Sequence, residues 1–292
     1  MCNWLVVESE QKPVINHCPL FVSVSSTEML LLHDKGIWKY DLRKNRWDKF
    51  MDYSSDKLIT IQFVAMFDQN TQCVYHCNIE SKLVQIDVNA RTISVLSEDV
   101  NFNRCEAFIF SRNDDIHMVG ANKKYLIFNG KTESIDEVKY PMSDQIWLAS
   151  RQKATIKRDQ SFVTVGINMK YSRLVFLRYL LQTNEWIEDE MQGLTHFASH
   201  MFTTTDEQYL FLFGGNDLFV NPQEPTKDIF ILDLKKKKLV KSHVKIPIVN
   251  CIANLHKSDD LLVFGYVHQL WKSPEFSYVP SLPFYLIKLI GK

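Results

Sequence analysis

The chain has 292 residues, of which 46% are apolar, and its 34 Lys and Arg balance 34 Asp and Glu to a formal net charge of zero. That neutrality excludes broad, sequence-independent nucleic-acid binding, which rests on neutralising phosphates. The 19 Phe, 11 Tyr and 6 Trp supply the apolar surface of a large core.

The six cysteines (Cys2, Cys18, Cys73, Cys77, Cys105 and Cys251) form no CxxC pair. In a chain too large to need disulfide staples they read as reduced, mostly buried thiols. The opening MCNWLVVESEQKP has no basic n-region, and its apolar run is too short for a signal peptide. No stretch approaches the roughly 18 uninterrupted apolar residues of a membrane span. The expected location is cytoplasmic, with no membrane partner.

Taken in order, the chain repeats a hairpin whose second strand holds an apolar residue six positions after the end of the first. Tyr40-Asp41 precedes Trp47, Asp87 precedes Ile93, and Asn129 precedes Ile135. Leu180, after Tyr179, precedes Trp186, and Asp233 precedes Leu239. Each hairpin follows another short apolar run: MLLLHD from Met29, CVYHC from Cys73, IHMVG to Gly120, FVTVG to Gly166, LFLFGG to Gly214-Gly215, and LLVFG to Gly265. A polar turn comes before each run, and before the turns lie the expected first strands LFVSV, FVAMF, AFIF, ATIK, HMFTT and NCIANL. The unit is therefore four short strands over roughly 43 to 53 residues, occurring six times, with no helical pattern between. One such unit cannot cover its own two apolar faces, whereas units packed radially cover one another, so the period predicts a β-propeller.

Closure is the remaining problem. Phe284 to Ile290 reads as a third strand, and the chain ends where the fourth should begin. An unpaired apolar edge invites aggregation. Asn3 to Glu8 reads as an unassigned strand and is expected to complete the last blade. The expectation is one all-β domain over 1–292, a six-bladed kelch-like propeller of four-stranded antiparallel blades. The blades span about 19–51, 61–97, 105–139, 153–190, 198–246, and 249–292 together with 3–8.

The glycine pair after the second strand, the Tyr-Asp pair and the aromatic six residues on resemble the kelch repeat. Tyr40, Asp41 and Trp47 carry this in the first unit, Gly166, Tyr179 and Trp186 in the fourth, and Gly214, Gly215 and Asp233 in the fifth. The final LPFYLIKLIGK is similar to the last repeat of kelch-motif proteins of protists. No BTB or F-box segment accompanies the repeats, although the resemblance implies ubiquitin-ligase components or cytoskeletal proteins as possible partners.

Motifs for chemistry are few. Gly120, Gly166, Gly214 and Gly215 precede no helical pattern, so they read as strand-end turns with positive φ rather than phosphate cradles. His196 and His200 stand at a loop-to-strand junction and do not form a helical metal pair. Cys73 and Cys77 share one strand face but lie about 13 Å apart, too far to co-ligate one ion. Lys235 to Lys238 reads as a solvated hairpin tip. No sialidase box, GxSxG elbow or HExxH appears.

Two long second-to-third-strand loops depart from the repeat. NDLFVNPQEPTK (216–227) carries Leu218, Phe219 and Val220, and YVHQLWKSPEFSYVPSLP (266–283) carries Trp271, Phe276 and Tyr278. Aromatic residues on loops of a rigid scaffold suit protein recognition, and Arg104 and Arg151 would open on the same face. The sequence thus points to a monomeric, non-catalytic adaptor that binds a protein or peptide partner, without cofactor, metal or nucleic acid. The alternative is an enzyme or small-ligand propeller using the mouth of the central channel.

Overall fold

The computed structural model describes residues 2–7, 20–25, 27–33, 36–41, 43–44, 46–52, 61–78, 82–98, 100, 106–120, 123–140, 143–148, 154–156, 161–171, 173–180, 182–183, 185–189, 200–203, 209–213, 216–217, 221–225, 228–245, 251–258, 261–268 and 284–289. Among these, every regular element is a β-strand, and no helix is long and apolar enough to cross a membrane.

The chain starts with β1 (Cys2–Val7) and then builds the first blade from β2 (Leu20–Ser23), β3 (Glu28–His33), β4 (Gly36–Asp41) and β5 (Arg46–Met51). The second blade is β6 (Ile61–Asp68), β7 (Cys73–Asn78), β8 (Leu83–Asp87) and β9 (Thr92–Ser97). The third is β10 (Glu106–Arg112), β11 (Asp115–Gly120), β12 (Tyr125–Asn129) and β13 (Ser134–Val138). A five-stranded sheet follows: β14 (Ile146–Leu148), β15 (Ala154–Ile156), β16 (Ser161–Asn168), β17 (Arg173–Leu180) and β18 (Glu185–Asp189). The next blade pairs β19 (His200–Thr203) with β20 (Tyr209–Phe213), and β20 with β23 (Asp228–Asp233) and then β24 (Lys238–Lys245). Between β20 and β23 runs a two-stranded ribbon, β21 (Asn216–Asp217) and β22 (Asn221–Pro225), where a plain loop was expected. The closing blade has the order β1-β27-β26-β25, from β25 (Cys251–Ser258), β26 (Leu261–His268) and β27 (Phe284–Leu289).

The result is an all-β propeller of four-stranded antiparallel blades, and the expectation of six blades is corrected to five. Five blades are four-stranded; the region expected as a fourth blade at 153–190 is a larger sheet that begins at Ile146. Its extra strand is only three residues long, below the length at which an apolar run reads as a strand.

First strands pack around the axis: β2 lies beside β6 and β6 beside β10, while β15 lies beside β19, β19 beside β25, and β25 beside β2. The chain's two ends meet in the closing blade, where β1 runs antiparallel to β27 from Cys2 opposite Leu289 to Val7 opposite Phe284. That pairing satisfies an edge that would otherwise be open to other strands.

Alternation then sets the core, because successive side chains point to opposite faces of a blade. Val74, Val84 and Ile86 pack against Leu30, Leu32 and Ile37 of the first blade. Cys73, Tyr75, Cys77 and Leu83 pack instead against Ile109, Ile116, Met118 and Leu126 of the third. Phe110, Val119 and Tyr125 meet Phe162, Val175, Leu177 and Tyr179 of the five-stranded sheet.

The repeated six-residue offset has a local cause. Asp41, Asp87 and Asp233 each end a third strand, and each Oδ1 accepts two backbone N–H bonds from the turn that follows. Asn129 does the same. The fourth turn residue takes a left-handed φ, +55° at Arg91 and Glu133 and +48° at Lys237. Such a turn brings Tyr40 opposite Trp47, and Tyr179 faces Trp186 across its own hairpin, with ring centroids 4.8 and 4.9 Å apart. The glycine reading is corrected: Gly120 ends β11 and Gly166 lies inside β16, as extended strand residues. Among the described residues the glycine with positive φ is Gly36, at +139°. Gly265 lies within β26, and Gly214 and Gly215 fall outside the described residues.

Candidate functional site

Propellers concentrate recognition at the axis, so the inner strands are the place to look for irregularity. Three consecutive inner edges are irregular. In β6, Ile61 faces Asn78 and Ala65 faces His76, so residues 62–64 stand against Cys77 alone. In β10, Ala107 is an extra residue between Glu106 and Phe108. The largest departure is in the five-stranded sheet, where β14 and β15 line the same edge of β16. Leu148 pairs with Gly166 and Ala154 with Val163, so the two short strands take successive stretches of one edge. Bulges also occur between third and fourth strands, as at Ile37/Trp38 and Leu83/Val84, where they bend the blade. A strand split in two on the inner edge is found only in the five-stranded sheet among the described residues.

The lead-in to this split strand is pinned from both sides. Lys123, held at φ +65° in the β11–β12 connection, donates from Nζ to the Asp144 carbonyl, and its ammonium lies 3.6 Å from the Asp144 carboxylate. From the other side, the Met169 N–H donates to the Gln145 carbonyl at 2.8 Å. Asn168 Oδ1 holds the β16–β17 turn by accepting from the Lys170 and Tyr171 amides at 3.1 and 3.3 Å. Two connections between second and third strands thus clamp one segment on the face where the inner strands begin. The described lysines there are Lys123, Lys124 and Lys170, with Asp144 beside Lys123. Lys124 has Glu137 at 3.9 Å.

Deeper, between the third blade and the five-stranded sheet, lies a polar chain. His117 Nδ1 is 2.8 Å from the Tyr125 hydroxyl, which is 3.3 Å from the Tyr179 hydroxyl. Phe110 stacks on His117 at 4.7 Å with planes 7° apart. Burial holds the His117 imidazole down to about 4, with Asp115 opposing and Arg112 assisting the fall. Burial and the bond to Tyr179 hold the Tyr125 phenol above its usual range, and burial raises Tyr179 too. The set is satisfied when Tyr179 donates to Tyr125 and Tyr125 donates to neutral His117. With all three side chains buried, its role is to order the interface between blades.

A second histidine, His76, is fully buried on β7 with neither ring nitrogen hydrogen-bonded, and burial lowers it to about 4. Cys73 and Cys77 are buried free thiols; Gln85 donates to Cys73 at 3.1 Å, and the Cys77 thiol faces Met118 at 3.5 Å.

Of the residues expected to bind a partner, Leu218, Phe219, Val220, Trp271, Phe276, Tyr278, Arg104 and Arg151 all lie outside the described residues, as does His196. His200 opens β19 opposite Phe213. In the lysine run, Lys237 pairs with Asp189 at 2.6 Å and Lys236 with Asp233 at 3.5 Å. Sequence reasoning missed the split strand and its clamps. The apolar triplet Ile146-Trp147-Leu148, separated from Ala154 by five residues, was the one available signal.

No protein-family model and no curated protein matches the chain. Among solved structures it is similar to an oligogalacturonate lyase from Vibrio parahaemolyticus, at 11% identity and a TM-score of 0.58, over 92% of this chain and 76% of that one. It is also similar to an oligogalacturonate lyase in complex with manganese, at 10% identity and a TM-score of 0.56, over 90% of this chain and 74% of that one. At such identity the likeness establishes the propeller fold, and it does not extend to kelch repeats. It also corrects the expectation of a non-catalytic adaptor, since these neighbours are enzymes.

Proposed function

We propose that this protein is a small-ligand propeller that takes an anionic sugar at the mouth of its central channel, beside the five-stranded sheet. The observation that carries this reading is the split inner strand, β14 and β15, clamped by Lys123 and Met169 on a basic rim. Interrupting an inner strand re-aims backbone groups and side chains toward the axis. Lys123, Lys124 and Lys170 against Asp144 and Glu137 leave a positive balance, which favours a carboxylate-bearing ligand. The fold neighbours, oligogalacturonate lyases, supply the sugar class as a hypothesis. Tyr40–Trp47 and Tyr179–Trp186 support a kelch-like origin for the repeat.

One neighbour is a manganese complex. Among the described residues no three His, Cys, Asp or Glu side chains gather to hold a metal, so no step is assigned to one. What these residues offer is positive charge and a fixed, irregular inner edge.

The test is a thermal-shift and calorimetric titration of the full chain with trigalacturonate, with and without manganese. Ultraviolet absorbance of an unsaturated uronate product reads any turnover. Saturable binding that weakens with salt and is absent for a neutral galactose trimer is the expected result. Equal binding of the neutral sugar, or none of either, overturns the proposal.

A further inference from the structure

Three large apolar residues are exposed among those described, Met169, Tyr171 and Val240, and two of them share one turn. Met169 is 62% and Tyr171 57% exposed, on the β16–β17 connection. Single exposed apolar residues need no explanation, but this pair is presented by backbone that cannot easily turn it inward. Asn168, itself buried, accepts both following amides, and Met169 N–H is tied to Gln145 next to the split strand. The Lys170 ammonium lies 5.2 Å from the Tyr171 ring centroid, so an aromatic surface and a positive charge are offered together. An exposed ring on a rigid turn loses little entropy on binding, and its face suits the C–H side of a pyranose while the ammonium suits its carboxylate.

We infer that Tyr171, with Lys170, forms an outer subsite that stacks a second or third sugar ring of an acidic oligosaccharide whose first ring lies at the channel mouth. The turn joins the second and third strands of its sheet, one to two strand spacings, about 5–10 Å, outward from the split inner strand. That separation suits adjoining rings of one chain. The inference rests on the proposed acidic-sugar reading and adds a residue that sets chain-length preference.

The experiment titrates the full-length protein and its Tyr171→Ala and Tyr171→Phe variants with galacturonic acid and with trigalacturonate by calorimetry, with melting curves on each protein. The expected result is that the wild type binds the trimer more tightly than the monomer. Tyr171→Ala should lose about tenfold on the trimer alone, Tyr171→Phe should keep the affinity, and all three should melt together. If Tyr171→Ala binds the trimer as the wild type does, the outer subsite is wrong while the mouth proposal stands. If the wild type binds neither acidic sugar, the mouth proposal falls and the subsite falls with it.

Discussion

His117 Nδ1 and the Tyr125 hydroxyl, 2.8 Å apart, join the second and third strands of one blade inside its contact with the next sheet. Because both are buried, the bond matters less for its own strength than for what its loss would leave behind. Tyr125→Phe strands the imidazole without its partner and should cost about 1–3 kcal/mol in urea unfolding. Tyr179→Phe removes the longer, outer bond and should cost less. A Tyr179→Phe penalty as large as that of Tyr125→Phe would show that the chain does not run inward as described.

Acid should weaken the fold in two separate windows. His76 and His117 have folded values near 4, below the ordinary 6.5, so the unfolded chain binds their protons first. Their contribution is therefore intact above about pH 6.5, is lost as pH falls from there toward 4, and is level below that. For His76, whose fall is caused by desolvation with the adjacent Cys77 backbone opposing it, the loss is about 3 kcal/mol. His76→Leu should raise stability at neutral pH and flatten the slope between pH 6.5 and 4, as read from urea midpoints. An unchanged slope would mean the imidazole is hydrated or paired in solution.

The second window belongs to the turn carboxylates. Burial pushes the Asp41 carboxyl up, but the Lys44 and Arg43 amides and the Lys44 ammonium more than reverse it, and the net shift is downward. The Lys236 amide is the main cause lowering Asp233. These groups stabilise above their ordinary value of 3.8 and lose that contribution only below it. Asp87→Asn should be nearly neutral at pH 7, since Asn129 already performs the same role. Asp87→Ala should cost about 1 kcal/mol by removing the acceptor from both turn amides. Equal stability of the Asn and Ala variants would remove the side chain from any account of the turn.

Gly36 opens β4 at φ +139°, and a Cβ built there would lie 2.7 Å from the Met51 carbonyl oxygen. That neighbour is backbone within the same blade and cannot swing aside. Gly36→Ala should destabilise by about 3 kcal/mol or more, combining the backbone conformation with the clash. A melting temperature close to that of the wild type would show that β4 and β5 can part without loss.

Removal of residues 1–8 deletes β1 and leaves the β27 edge open. The truncated chain should melt lower and self-associate in sedimentation, since an uncovered apolar strand pairs with copies of itself. A monodisperse truncation of unchanged stability would mean that β27 has another cover.

The sequence by itself determined the class of fold and much of its register. Asp41 with Trp47, and Asp233 with Leu239, report a hairpin whose turn is closed within a few residues, so no distant partner is needed to specify it. The alternation of Val74 and Val84 with Cys73 and Tyr75 likewise assigns each side chain to one face from local spacing alone. Even the closing strand, expected over Asn3 to Glu8 and formed by Cys2–Val7, follows from a third strand left to pair in the last blade. What only the tertiary structure decided is where regularity stops. That β14 and β15 share one edge of β16, with Lys123 and Met169 clamping the approach, depends on residues brought together from separate units. The same holds for the chain from His117 through Tyr125 to Tyr179, whose members lie eight and 54 residues apart. A repeat pattern encodes contacts within and between like units, whereas a site at the axis is made of the differences among units. Those differences acquire meaning only when the ring sets them side by side.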